Sequence, residues 1–91
     1  MPKVKIYTTA YCPYCFSAKR LLSKKGVTFE EVDLSNDPAG RRELVAKAAG
    51  RTTVPQIWID ALHVGGSDDL YELEATGELD RLLEGNAARG P

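Results

Sequence analysis

The chain's only two cysteines stand three residues apart, in the run Cys12-Pro13-Tyr14-Cys15. A C-x-x-C pair has a short list of uses: thiol–disulfide exchange, part of a metal site, or a covalent staple. The flanking residues point to the first. Upstream, Val4-Lys5-Ile6-Tyr7 alternates apolar and polar as a strand does; downstream, Cys15, Ala18, Leu21, Leu22 and Lys25 recur at helical spacing. A strand, a turn over Thr8-Thr9-Ala10-Tyr11 and a helix put Cys12 at a helix N-terminus. Unpaired amides and the helix dipole stabilise negative charge there, which favours the thiolate, the reactive form of cysteine. Pro13 falls in the first helical turn, where its missing N–H would have had no partner in any case. Cys15 lies one turn further in, on a neighbouring face, close enough to attack a disulfide carried by Cys12. Cys12 is therefore the expected nucleophile and Cys15 the more buried resolving thiol.

Three plainer readings compete. A structural disulfide closing so short a loop would stabilise the fold by only about 2 kcal/mol, and the bridge would be strained and reducible. A zinc site needs two more ligands, whereas the chain has one histidine, His63, and no further cysteine; no metal site is expected within a single chain, and a cluster shared between chains stays open. Two cysteines acting as small buried hydrophobes fit poorly beside a proline at a helix start.

The other elements can be placed from their punctuation. The first helix should end at Gly26, after Lys24 and Lys25, whose charges suit a helix C-terminus. Thr28 to Leu34 is the next strand. Ser35-Asn36-Asp37-Pro38 starts a second helix, with Asp37 as N-cap and an apolar stripe of Leu44, Val45, Ala48 and Ala49. Gln56 to Asp60 alternates again, Ile57 and Ile59 on one face and Trp58 on the other. His63-Val64 is a short strand ending at Gly65-Gly66, with His63 near solvent and without a catalytic role. Ser67-Asp68-Asp69 caps a third helix carrying Leu70 and Leu73; Gly77 interrupts it, and Leu79, Leu82 and Leu83 continue on a last short helix. A parallel βαβ unit followed by a hairpin, with C-x-x-C at its first helix, points to an α/β, thioredoxin-like fold: a central four-stranded mixed sheet flanked by helices. The expected domain is 1–84, and 85–91, lacking core-forming residues, is an expected disordered tail.

Ninety-one residues allow one domain with a modest core. Twelve Lys+Arg against 13 Asp+Glu give no basic surface, so no nucleic-acid or acidic-membrane partner is expected. No apolar run approaches the roughly 18 residues that span a bilayer. Met1-Pro2-Lys3 leads straight into a strand pattern, so no signal peptide is expected. The expectation is a soluble, cytoplasmic monomer, in which a cysteine pair is more often catalytic or metal-binding than structural.

Three separated motifs, Cys12-Pro13-Tyr14-Cys15, Thr53-Val54-Pro55 and Gly65-Gly66-Ser67-Asp68-Asp69, give a chain that resembles the dithiol glutaredoxins, short bacterial class, up to about Leu83. The Gly-Gly-x-Asp-Asp run separates this resemblance from thioredoxins. It implies a glutathione-dependent thiol–disulfide oxidoreductase serving cell redox homeostasis, with no bound cofactor, glutathione as co-substrate, and disulfide-containing or glutathionylated proteins as partners. It also implies a cis Pro55 whose turn comes close to Cys12 and exposes the Val54 backbone to the cysteinyl part of glutathione. By the same resemblance Tyr14 and Thr53 line the groove, Gly66, Ser67 and Asp68 receive the γ-glutamyl end, and Arg51 meets the glycyl carboxylate. Taken alone, Thr53-Val54-Pro55 is an ordinary strand entry, and Ser67 and Asp68 an ordinary helix cap. Two positions depart from the family pattern. Thr9 stands where many members have a lysine, leaving Arg51 and Lys19 as candidate cations, and Ser67 stands where some have a further cysteine. The alternative function is an iron–sulfur module bridged by Cys12 and glutathione, a role that Pro13 disfavours in this family.

Overall fold

The sheet is built outward from β1 (Val4–Thr8), whose alternating side chains serve both faces. It pairs in parallel with β2 (Glu30–Asp33) and antiparallel with β3 (Gln56–Ile59); β3 pairs antiparallel with β4 (Leu62–Gly65), giving the order β2-β1-β3-β4. The computed structural model describes residues 2–84, so the tail expected at 85–91 lies outside the described residues. Four helices complete this part: α1 (Pro13–Lys24), α2 (Pro38–Lys47), α3 (Ser67–Thr76) and α4 (Glu78–Glu84). The architecture is the expected mixed sheet flanked by helices, a thioredoxin-like fold.

One face of the sheet carries the larger core. Val4 and Ile6 of β1 and Ile57 and Ile59 of β3 meet Ala18, Leu21 and Leu22 of α1, Leu70 of α3, and Leu79 and Leu83 of α4. Cys15, Ala18, Leu21 and Leu22, at i, i+3, i+6 and i+7, form the buried stripe of α1 that fixes the helix, and hence Cys12, against the sheet. The opposite face is thinner: Tyr7, Leu34 and Leu44 form its core, with Val32, Val54 and Trp58 packed against them. Leu22 is fully buried, so Leu22→Ala should lower stability by about 2–5 kcal/mol, read from chemical denaturation. That is a large part of the roughly 5–15 kcal/mol that holds a domain together.

Local details differ from the sequence expectation in three places. The second strand begins at Glu30 rather than Thr28, because parallel pairing starts at Lys5↔Glu30. The second helix covers the sheet with a narrow stripe: Leu44 and Ala48 are buried, Val45 is half-buried and Ala49 is exposed. The N-cap of α3 is Gly66, one residue before the expected cap. Asp37 caps α2 as expected, its carboxylate accepting the Gly40 N–H at 2.9 Å. Gly26 and Gly77 adopt the left-handed φ values, +76° and +82°, that end α1 and α3.

Candidate active site

Cys12 is extended, at φ −107° and ψ 105°, and is the N-cap of α1. Its Sγ accepts the Cys15 N–H at 3.2 Å, the place a serine or aspartate oxygen takes at other helix starts. Such a contact strengthens as the acceptor gains negative charge. On its other side the Cys12 thiol faces the Val54 carbonyl oxygen at 3.7 Å. Cys12 is half-buried and Cys15 only 1 % exposed. Burial, reinforced by the nearby Cys12 sulfur, pushes the Cys15 thiol up to about 12, against the opposing pull of the Thr9 backbone and the Lys19 charge. At neutral pH Cys15 therefore holds its proton while Cys12 faces the surface. Sequence spacing and structure agree on this asymmetry.

A groove of about 280 Å³ is lined by Tyr14, Arg51, Thr53, Val54, Pro55, Gly66, Ser67, Asp68 and Asp69. It gathers all eight residues that the resemblance assigned to glutathione, from α1, the loop before β3, and the β4–α3 junction. The Val54–Pro55 peptide is cis, as expected. Pairing of β3 with β1 begins at Gln56, so the Val54 main chain lies beyond the ladder and toward Cys12. At the far end, the first α3 bond runs from the Leu70 N–H to the Gly66 carbonyl at 3.0 Å. The Ser67 and Asp68 amides are thus first-turn donors without helical partners, suited to an anion.

Asp69 is the residue that sequence reasoning missed. Its carboxylate accepts the Gly66 N–H at 2.8 Å and pairs with Arg51 Nη1 at 3.0 Å. The Gly66 N–H, helped by the Arg51 guanidinium, holds the Asp69 carboxyl below the usual range. An acidic residue three positions after an N-cap was the available signal, obscured by placing the cap one residue late. This knot also explains Gly65. Its φ is +113°, and a Cβ there would stand 2.5 Å from both Arg51 Nη1 and Asp69 Oδ2.

Lys19 does not reach the groove. It pairs with Glu31 at 3.0 Å, and Thr8 Oγ1 donates to the same carboxylate at 2.7 Å. Lys19 and Glu31, with exposed Tyr11 and Phe16, line a separate cleft of about 400 Å³ whose wall includes Cys12 and Cys15. Of the two cations suggested in place of a lysine at Thr9, only Arg51 lines the groove, and Asp69 already shares its charge. His63 lies in the β3–β4 hairpin, as expected, and is half-buried. Among the described residues no group of three or more His, Cys, Asp or Glu is placed to hold a metal ion, and no contact favours the cluster-bridging alternative.

A surface thiol backed by a buried, protonated partner, on a thioredoxin-like sheet, is the working arrangement of thiol–disulfide oxidoreductases. The comparisons narrow the class. The family model described as Glutaredoxin matches residues 4–64, and the chain belongs to the glutaredoxin family. It is 60 % identical over 83 residues to the "Glutaredoxin" of Pseudomonas aeruginosa, covering 91 % of this chain and 98 % of that one. It is 57 % identical over 84 residues to "Glutaredoxin 3" of Escherichia coli K12, covering 92 % of this chain and 100 % of that one. Among solved structures, the solution structure of glutaredoxin from Brucella melitensis is similar at TM-score 0.81 and 53 % identity, over 91 % of this chain and 89 % of that one. A buckwheat glutaredoxin–glutathione complex is similar at TM-score 0.85 and 27 % identity, over 96 % of this chain and 81 % of that one. The chain is accordingly an oxidoreductase of the family that exchanges thiols and disulfides.

Proposed function

We propose that this glutaredoxin reduces glutathionylated proteins and protein disulfides with glutathione, using Cys12 as nucleophile and Cys15 as resolving thiol. The observation that carries the proposal is the 3.7 Å contact between the Cys12 sulfur and the Val54 carbonyl, which sets the sulfur at the edge of the nine-residue groove. With a glutathionylated protein, the Cys12 thiolate attacks the glutathione sulfur, the protein thiolate leaves, and a Cys12–glutathione disulfide remains. A second glutathione thiolate attacks that sulfur of glutathione, releasing oxidised glutathione and the Cys12 thiolate. With a protein disulfide, Cys12 attacks one sulfur and the other leaves. Cys15, once deprotonated, then attacks Cys12, releasing the second protein thiolate and leaving a Cys12–Cys15 disulfide for two glutathiones to reduce. No other cofactor takes part. The proposed setting is a cytoplasmic monomer.

In this reading the glutathione cysteinyl backbone lies along Val54 beside Pro55. Its γ-glutamyl carboxylate meets the Ser67 and Asp68 amides, its ammonium meets the Asp68 carboxylate, and its glycyl carboxylate lies near Arg51. Asp68→Ala should cut glutathione-dependent kcat/KM by roughly three- to tenfold. Hydrogen bonds to charged groups contribute about 1.5–3 kcal/mol when dry, and Asp68 is exposed. Arg51→Ala should do less, since an exposed cation acting on a terminal carboxylate resembles a surface ion pair. Steady-state kinetics with a glutathione mixed disulfide checks both.

The discriminating experiment couples the protein to glutathione plus glutathione reductase and, separately, to thioredoxin reductase. Turnover is expected in the first assay and little in the second. The reverse pattern would contradict the proposal.

A further inference from the structure

We propose that Gln56 and His63 are positioning residues for the glutathione-binding loop, a tether that fixes the Thr53 and Val54 main chain opposite Cys12. The proposal rests on the glutathione reading above and names residues that neither the sequence motifs nor the proposed chemistry include.

Gln56 opens β3 and is 0 % exposed. A buried carboxamide brings donors and an acceptor that must all find partners, or the fold is weakened. Here every one is used. Gln56 Nε2 donates to the Thr53 carbonyl at 3.0 Å and to Thr53 Oγ1 at 3.3 Å. Because a carbonyl oxygen only accepts, the amide nitrogen must face Thr53, and Gln56 Oε1 must face the other way. It lies 2.7 Å from His63 Nε2, so that nitrogen carries the hydrogen and donates. The imidazole lies on the Trp58 ring, centroids 4.4 Å apart and planes within 20°, which holds the donor in line. Burial and the positive charge of Arg51 favour the neutral ring, with Asp69 the opposing influence.

The consequence is a continuous rigid path from the β3–β4 hairpin to the loop. Trp58 holds His63, His63 holds the orientation of Gln56, and Gln56 holds the main chain of Thr53. The next residue, Val54, presents its carbonyl to the Cys12 sulfur at 3.7 Å. Residues 51–55 lie in no strand or helix, so side-chain bonds of this kind must supply the order that a ladder would otherwise give. A leucine or methionine would fill the volume at Gln56 and leave the loop free to shift.

Gln56→Met and His63→Phe test this, with His63→Gln as the conservative partner that restores a donor. The substrate is the mixed disulfide of cysteine and glutathione, and the alkylation rate of Cys12 by iodoacetamide is measured beside it. Gln56→Met should raise KM roughly three- to tenfold, the scale of one or two ordinary hydrogen bonds, with kcat and the alkylation rate nearly unchanged. His63→Phe should raise KM by less, and His63→Gln should bring it back toward the wild type. Should Gln56→Met fail to fold, the two His63 variants carry the test. An unaltered KM in folded variants would overturn the tether. So would parallel losses in KM, kcat and alkylation, which mark general loosening rather than positioning. A wild-type protein that fails to turn over the mixed disulfide would overturn the glutathione reading itself, a result distinct from either.

Discussion

Cys12→Ser is expected to reduce exchange to background with every disulfide, whereas Cys15→Ser should retain removal of glutathione and lose most reduction of protein disulfides. The reason is the difference in environment. Cys12 is the N-cap of α1, half-buried, with the Cys15 N–H on its sulfur. Cys15 is enclosed, and its thiol is pushed up to about 12 chiefly by burial. A serine hydroxyl at position 12 is too weak an acid to serve as the attacking anion, so no route remains. A serine at position 15 leaves the first attack intact. Glutathione in solution can still resolve a small Cys12–glutathione disulfide, but a bulky protein mixed disulfide loses its intramolecular attacker and the advantage of proximity. Two assays on each variant, one with a glutathionylated peptide and one with a protein disulfide, check the division. Equal loss of both activities in Cys15→Ser would contradict it.

Gly65→Ala should damage both stability and glutathione turnover. The φ of +113° costs a side-chain-bearing residue about 1–3 kcal/mol of strain. The added methyl would also stand 2.5 Å from both Arg51 Nη1 and Asp69 Oδ2, so the ion pair must part or the β4–α3 junction must move. Movement there carries Gly66, Ser67 and Asp68 with it, because the Asp69 carboxylate holds the Gly66 N–H. The expected result is a lower denaturation midpoint together with at least a roughly tenfold loss in glutathione kcat/KM, given that one misplaced charged contact alone can account for that factor. Cys12 alkylation should change little, since Gly65 does not line the cleft beside the cysteines. Wild-type stability and kinetics in this variant would show that the junction does not depend on glycine.

What was legible in the sequence follows the range of the interactions involved. The helix-mouth position of Cys12 and the burial of Cys15 depend on neighbours within one or two turns, and simple spacing recovers them. The resemblance to a known family named eight of the nine residues that line the groove, although they come from separate elements. Three features lay outside that reach. Lys19 and Glu31 meet across α1 and β2, and nothing in the local pattern of either residue says that the pair lines a cleft separate from the groove. Asp69 was hidden by a helix start one residue earlier than expected. Gln56 and His63 approach across the β3–β4 hairpin, where the register shifts between Ile57 and Trp58. An irregular register breaks the alternation from which strand partners are inferred.

The central claim is that glutathione joined to Cys12 lies in the groove of Val54, Ser67 and Asp68. The direct measurement is chemical-shift mapping of the Cys12–glutathione mixed disulfide formed in the Cys15→Ser variant, against the same variant reduced. The account predicts the largest amide changes at Val54, Gly66, Ser67 and Asp68, with intermolecular contacts from the glutathione cysteinyl protons to Val54. Changes concentrated instead at Phe16, Lys19 and Glu31, with Val54 and Ser67 unmoved, would put the ligand in the separate cleft and contradict the account.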